Sequence, residues 1–164
     1  MNRSDEAGLT LVELTIVFVL ATLVMVGLVS FYLSSQATWL DGSTEAQTQR
    51  EATLLIDAMA ARVRASAKAI VEDYPDPFHQ MLSLYSPSDT LNASYVFWWD
   101  PKDSHVYGGS SVGAQDAIAL TTAPTDSFRL EQINASLVEL SWLQLRAGTS
   151  PVIVSGALFA LYNR

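Results

Sequence analysis

One uninterrupted apolar run, residues 9–33, limits what this chain can fold into more than any other feature. It contains a single ionisable side chain, Glu13. At ~1.5 Å per residue, a helix of this length measures roughly 38 Å, which exceeds the ~30 Å hydrocarbon core of a bilayer. A helix also satisfies its own backbone hydrogen bonds, which lipid cannot do. The run therefore predicts a membrane-spanning helix.

Glu13 is the unusual residue of this run, because carboxylates inside spanning helices are costly and usually paired. A simpler interpretation places Glu13 in the first helical turn, near the headgroups, where the helix dipole tolerates an acid. The residues before it are a short polar leader, residues 1–8 (MNRSDEAG), which ends in Gly8 directly before the apolar run.

Residues 8–14, GLTLVEL, resemble the processing motif of type IV prepilins and pseudopilins, usually written GFTLVEL. Six of the seven positions match, and Leu9 stands where Phe is commonest. The resemblance implies that a prepilin peptidase cleaves between Gly8 and Leu9 and methylates the new amine of Leu9. Glu13 then becomes the fifth residue of the mature chain.

In this family, the fifth-residue carboxylate is thought to pair with the terminal amine of a neighbouring subunit as helices bundle into a filament. The resemblance thus implies an assembly role for Glu13, with other pilins or pseudopilins and the membrane as partners. It also implies a bacterial inner-membrane protein with one span and a periplasmic head, which enters a pilus or a type II secretion pseudopilus after assembly.

The charge of the chain argues against nucleic acid as a partner. The formal net charge is −8, and residues 72–164 carry four basic and ten acidic side chains, or 4 − 10 = −6. Such a head repels phosphates. The chain has no cysteine, whereas many major pilins close a C-terminal loop with a disulfide. Within the resemblance, this favours a minor pilin of the W type or a pseudopilin of the J type.

The leader contains one basic residue, Arg3, and two acidic ones, Asp5 and Glu6. The positive-inside rule therefore orients the helix only weakly, and the expected orientation comes from the resemblance.

Two other interpretations of the N-terminal region stay open. A secretory signal cut near residues 35–37 would need a shorter apolar region and a basic leader. A single-pass, membrane-anchored binding or sensor domain that is never processed is the rival function.

Residues 34–71 are predicted to continue the helix in amphipathic form. Their apolar positions recur every three or four residues. The stripe consists of Ala52, Leu55, Ile56, Met59, Val63, Ala67 and Ile70. Residues 41–44 (DGST) predict a bend, and Thr44 with Gln47 would form a capping box if the helix restarted there.

Residues 72–77, with two prolines, predict the end of the helix, and residues 72–164 predict a β-rich head. The predicted strands are residues 81–86, 94–99, 105–107, 117–122, 128–133, 137–146 and 152–162. A shift of alternation after Trp142 predicts a bulge. The whole is an α+β, pilin-like fold: a long N-terminal helix packed on a meandering antiparallel sheet.

No catalytic, cofactor or metal motif is recognisable, so an enzyme is not expected. His79 and His105 are predicted to be loop residues. Asp100 with Asp103, and Asp73 with Asp76, are predicted to be turn aspartates, since neither pair reaches the ligand count of a calcium loop. The aromatic residues of strand 94–99 occupy both of its faces, which predicts one core face and leaves an exposed partner contact open for the other.

Overall fold

A computed structural model of the chain describes residues 10–73, 79–148 and 150–161. The chain divides into two compact units, Met1–Leu40 and Asp41–Arg164. One helix, α1 (Leu11–Ala65), contributes residues to both units.

The described part of the first unit is helical from Leu11 and exposed at every residue. The helix is long and apolar enough to cross a membrane, and its most apolar stretch has a mean hydropathy of 2.6 with none of it buried. The core helix of a water-soluble protein would be mostly buried. The exposure therefore agrees with the predicted span.

In the second unit, α1 buries the predicted stripe as far as Val63. Leu55 is 1% exposed and Met59 is fully buried. Ile56 is partly buried against the same core, while Arg50 and Asp57 on the other side are exposed, as predicted. The three- and four-residue spacing thus reports correctly which face of the helix packs.

The predicted end of the helix is wrong by about two turns. The helix ends at Ala65, and residues 68–71 belong to strand β1 (Lys68–Asp73). Ser66 donates its hydroxyl to the Arg62 carbonyl at 2.7 Å, and the Ala67 N–H donates to the Tyr85 carbonyl at 2.9 Å. Pairing with a distant strand therefore outweighs the local helical pattern.

The helix does not restart at residues 41–44, where the sequence predicts a bend. These residues are helical, so Thr44 lies inside the helix and does not cap a new one. The cost of Gly42, about 1 kcal/mol relative to Ala, does not stop a helix of this length. Residues 72–77 were predicted to end the helix. Glu72 and Asp73 lie in β1, and residues 74–77, which include Asp76, lie outside the described residues.

The second unit confirms the α+β class, with every paired strand antiparallel, but the single predicted sheet is two open sheets. The first sheet contains β1 (Lys68–Asp73), β2 (Gln80–Ser86), β3 (Asp89–Asp100), β4 (His105–Gly109) and β5 (Ile118–Ala119). The second contains β6 (Thr125–Asn134), β7 (Leu137–Ala147), β8 (Ser150–Val154) and β9 (Ala157–Ala160).

The last predicted strand, residues 152–162, is two strands. Both β8 and β9 pair with β7, and the strand is interrupted between them at Gly156. Gly156 has a φ of +75°, a backbone conformation that favours glycine, and its N–H donates to the Leu140 carbonyl at 3.1 Å. Residue 162 lies outside the described residues.

The predicted bulge is present, one residue earlier than expected. On the β6 side, Leu140 pairs with Leu130 and Trp142 with Arg129, which leaves Ser141 as the extra residue. The bulge brings both Leu140 and Leu143 to the buried face, while Trp142 remains 39% exposed. The bulge thus turns Trp142 away from the face on which Val138 and Leu140 are buried.

One core joins the helix to both sheets. It brings together Met59 from α1, Phe97 from the first sheet and Phe128 from the second. Glutamine side chains also link the sheets: the Val71 N–H donates to Gln132 Oε1 at 3.1 Å and the Leu130 N–H to Gln80 Oε1 at 2.6 Å. The sheets thus share one hydrophobic interior.

Strand β3 carries the predicted aromatic cluster, and both of its faces are covered. Phe97 is buried in the core, with Tyr95 and Trp99 packed against it. On the other face, Trp98 is 5% exposed and stacks on Tyr107 with ring centroids 5.6 Å apart. Trp98 is therefore not the exposed partner contact that was left open.

Candidate functional site

The start of α1 is a capping box formed by Thr10 and Glu13. The Thr10 N–H and the Thr10 hydroxyl both donate to Glu13 Oε2, each at 2.9 Å. In return, the Glu13 N–H donates to Thr10 Oγ1 at 3.2 Å. Thr10 is thus the N-cap and Glu13 the third residue of the helix, the arrangement that satisfies two otherwise unpaired backbone donors.

This geometry holds the carboxylate of Glu13 at the extreme start of the helix. An acid in the first turn also faces the positive end of the helix dipole. Gly8 and Leu9, where the resemblance puts cleavage and methylation, lie outside the described residues. The structure therefore describes the acid of the predicted assembly pair but not the amine.

Thr10 is a site residue that sequence reasoning missed. The signal was available, because a Thr followed three residues later by Glu, just before an apolar run, is a known helix-start pattern.

The helix surface beyond Glu13 suits an apolar environment. Two of its threonines form hydrogen bonds with backbone carbonyls one turn earlier: the Thr15 hydroxyl donates to the Leu11 carbonyl at 2.8 Å, and the Thr22 hydroxyl donates to the Phe18 carbonyl at 2.7 Å. Both polar groups are therefore satisfied without water. A shallow apolar groove on this surface is lined by Val17, Leu20, Ala21, Val24, Met25 and Leu28.

A second polar cluster lies in the second unit, where Glu51 of α1 meets residues 120–124, the connector between the two sheets. The Thr122 N–H donates to Glu51 Oε2 at 3.0 Å, and the Ala123 N–H donates to the same oxygen at 2.9 Å. The Thr122 hydroxyl donates to Oε1. One carboxylate thus takes three hydrogen bonds from the chain segment that leads from one sheet to the next.

These contacts set the pKa of Glu51. Partial burial raises this pKa. The hydrogen bonds from Thr122 and Ala123, together with the nearby His105, lower it by more than burial raises it, so the pKa of Glu51 lies below the ordinary glutamate range. Hydrogen bonds that favour the ionised form have this effect. Glu51 is therefore a structural anion that links the helix to the connector.

Asp100 and Asp103 are turn residues, as predicted, whereas Asp73 is the last residue of strand β1 and the turn prediction is wrong for it. Asp100 Oδ1 accepts from the Lys102 N–H at 2.9 Å, and Asp103 Oδ1 accepts from the His105 N–H at 3.1 Å. Asp103 also accepts from the Tyr107 hydroxyl, which raises the pKa of Tyr107. Among the described residues, no group of three or more His, Cys, Asp or Glu side chains is arranged to hold a metal ion.

The two histidines lie at the ends of strands in the first sheet. His79 precedes β2, with its ring centroid 5.0 Å from that of Trp99, and His105 is the first residue of β4. The Nδ1 atom of His105 and the Nε1 atom of Trp99 are buried, and neither has a hydrogen-bond partner among the described residues. The loop prediction is wrong for His105, while the strand prediction for residues 105–107 is correct.

The chain matches no known protein-family model, no curated protein and no solved structure. The layout, one long apolar N-terminal helix with antiparallel sheets, is pilin-like in general form. The functional assignment therefore depends on the residues themselves.

Proposed function

We propose that this chain is a structural subunit of a type IV pilus or type II secretion filament, a minor pilin of the W type or a pseudopilin of the J type. A prepilin peptidase cleaves it after Gly8 and methylates Leu9. Until assembly it stays in the bacterial inner membrane with its β-rich head in the periplasm, and its apolar helix then packs among those of other subunits.

One observation carries this proposal: the GLTLVEL motif lies at the start of a helix in which every residue from 14 to 40, directly after Glu13, is uncharged and exposed. Such a surface needs lipid, neighbouring helices or both around it. A filament supplies neighbouring helices, and it also offers Glu13 a counter-ion in the terminal amine of the next subunit.

The capping box supports a role for Thr10 in that pairing. By holding Oε2 of Glu13, Thr10 keeps the carboxylate beside the start of the mature chain. A carboxylate with a restricted orientation loses less conformational entropy when it meets its partner. We infer that Thr10 positions Glu13 for assembly.

The rival function is a membrane-anchored binding or sensor domain that keeps its leader. The same capping box favours it, because Thr10 already satisfies part of the Glu13 carboxylate within one chain. A helix start of this kind needs no second subunit.

Mass spectrometry of the mature N-terminus separates the two proposals. The filament subunit begins with N-methylated Leu9, and a Gly8→Val variant is expected to retain the leader, because the family's peptidase cuts after glycine and Val places a branched side chain at the cut. Intact Met1 in the wild-type protein, or a cut near Ala37, would contradict the filament proposal.

A further inference from the structure

We propose that one face of α1 beyond the apolar run, the aromatic face, binds the glycerol and headgroup layer of phospholipids in the outer leaflet of the membrane. The face consists of Tyr32, Ser35, Gln36, Trp39 and Leu40. This inference rests on the membrane-spanning part of the proposed function and on no step of cleavage or assembly.

The residues of the aromatic face are neighbours on the helix, because their spacings of three and four residues place them on one side. Together they line one shallow groove. Tyr32 is 60% exposed and Trp39 is 72% exposed. Gln36 Nε2 donates to the Tyr32 hydroxyl at 2.7 Å, so the polar tip of Tyr32 is already part of a hydrogen-bonded pair on this face.

The order of side chains along this part of the helix matches the layers of a membrane surface. The apolar run ends with Tyr32 and Leu33, small polar residues and then Trp39 follow, and the first charge after Glu13 is Asp41. Tyr and Trp prefer the interface, where the ring is in an apolar environment and the polar tip meets water or headgroups.

Helix length places the aromatic face at the right depth. From Glu13, an upright helix rises ~28 Å to Tyr32 and ~39 Å to Trp39 at ~1.5 Å per residue. With the average tilt of about 20°, these rises become ~27 Å and ~37 Å. In both cases the far edge of a ~30 Å hydrocarbon core lies between the two aromatic residues. The aromatic face therefore straddles this boundary when Glu13 lies at the opposite one.

The chain has no cysteine, so single cysteines can carry a spin label without background. The full chain is reconstituted at a low protein-to-lipid ratio in vesicles of phosphatidylethanolamine and phosphatidylglycerol. Collision with oxygen and with a water-soluble nickel chelate then reports the depth of labels at Ala21, Ala37 and Ser43. We expect Ala21 to be deep, Ala37 at the level of the headgroups and Ser43 in water.

Trp39→Ala tests the role of the aromatic face, and Phe31→Ala is the matched control, since both side chains are 72% exposed. We expect Trp39→Ala to shift the Ala37 label by roughly 3 Å, two residues of helical rise, while Phe31→Ala and Trp39→Tyr leave it in place. Circular dichroism verifies that each variant is folded.

Three results would overturn the proposal: an Ala37 label in bulk water, equal depths for the Trp39→Ala and Phe31→Ala variants, or spin–spin broadening that shows a second copy on this face. These outcomes are independent of processing. Retention of Met1 with the expected depths would reject the filament subunit and leave the lipid contact intact.

Discussion

A single carboxylate, that of Glu51, holds residues 120–124, the connector between the two sheets, against the helix through hydrogen bonds. Protonation of this carboxylate should therefore lower the stability of the fold. Its folded pKa is lowered, so the ionised form stabilises the fold above the unfolded pKa of ~4.3, and this contribution is lost as the pH falls through the folded pKa. We expect Glu51→Gln to reduce the free energy of unfolding by about 1 kcal/mol at neutral pH. The difference from wild type should shrink below about pH 5 and vanish at lower pH.

Chemical denaturation of the full chain in detergent, between about pH 7 and pH 3, measures this difference. Asp57→Asn is the matched control, because Asp57 is an exposed acid of the same helix. Equal effects of the two substitutions at every pH would contradict the role assigned to Glu51.

Residue contacts differ in how far they can be predicted. The Thr10–Glu13 capping box spans three residues, so the sequence contains the whole pattern. Glu51 and Thr122 are 71 residues apart, and nothing local to either residue marks the contact. Only the fold of the second unit brings the connector to the helix, and sequence reasoning had no means to find this cluster.

At the scale of elements, the packing of α1 can be tested with two adjacent leucines, because one is buried against the head and the other is exposed. Leu55 is 1% exposed and Leu54 is 57% exposed. We expect Leu55→Ala to lower the free energy of unfolding of the head by about 2–5 kcal/mol, through lost burial and the cavity left behind. Leu54→Ala should cost less than about 0.5 kcal/mol. Similar losses, measured by thermal or chemical unfolding, would show that the helix packs through another face.

Element boundaries were less predictable than element faces. The apolar spacing reported the buried side of α1 correctly, but it also included Ala67 and Ile70, which lie next to and within strand β1. The strand forms because β2 supplies its partner, as in the pairing of Ile70 with Ser83. A local pattern carries no information about such a partner, which explains the error at the end of the helix.

At the scale of the whole molecule, the sequence was sufficient for the α+β class and the candidate span, since long apolar runs and alternating strands are local features. It was not sufficient for the division into two sheets. The connector held by Glu51 leads from one sheet to the other, and hydrogen bonds such as that from the Val71 N–H to the Gln132 side chain join the two sheets. Both are long-range contacts between polar groups that resemble ordinary surface residues in the sequence.

The proposed filament function is tested on the molecule as a whole, and Glu13 is the residue on which we expect assembly to depend. In an apolar bundle, a carboxylate that meets the amine of the next subunit favours assembly, and an amide cannot replace its charge. We therefore expect Glu13→Gln to be processed after Gly8 but to reach filaments at a level at least tenfold below wild type, measured by immunoblot of the sheared filament fraction. Glu45→Gln, which removes one exposed acid from the same helix, should assemble normally. Normal entry of the Glu13→Gln subunit into filaments would show that the charge pair does not drive assembly.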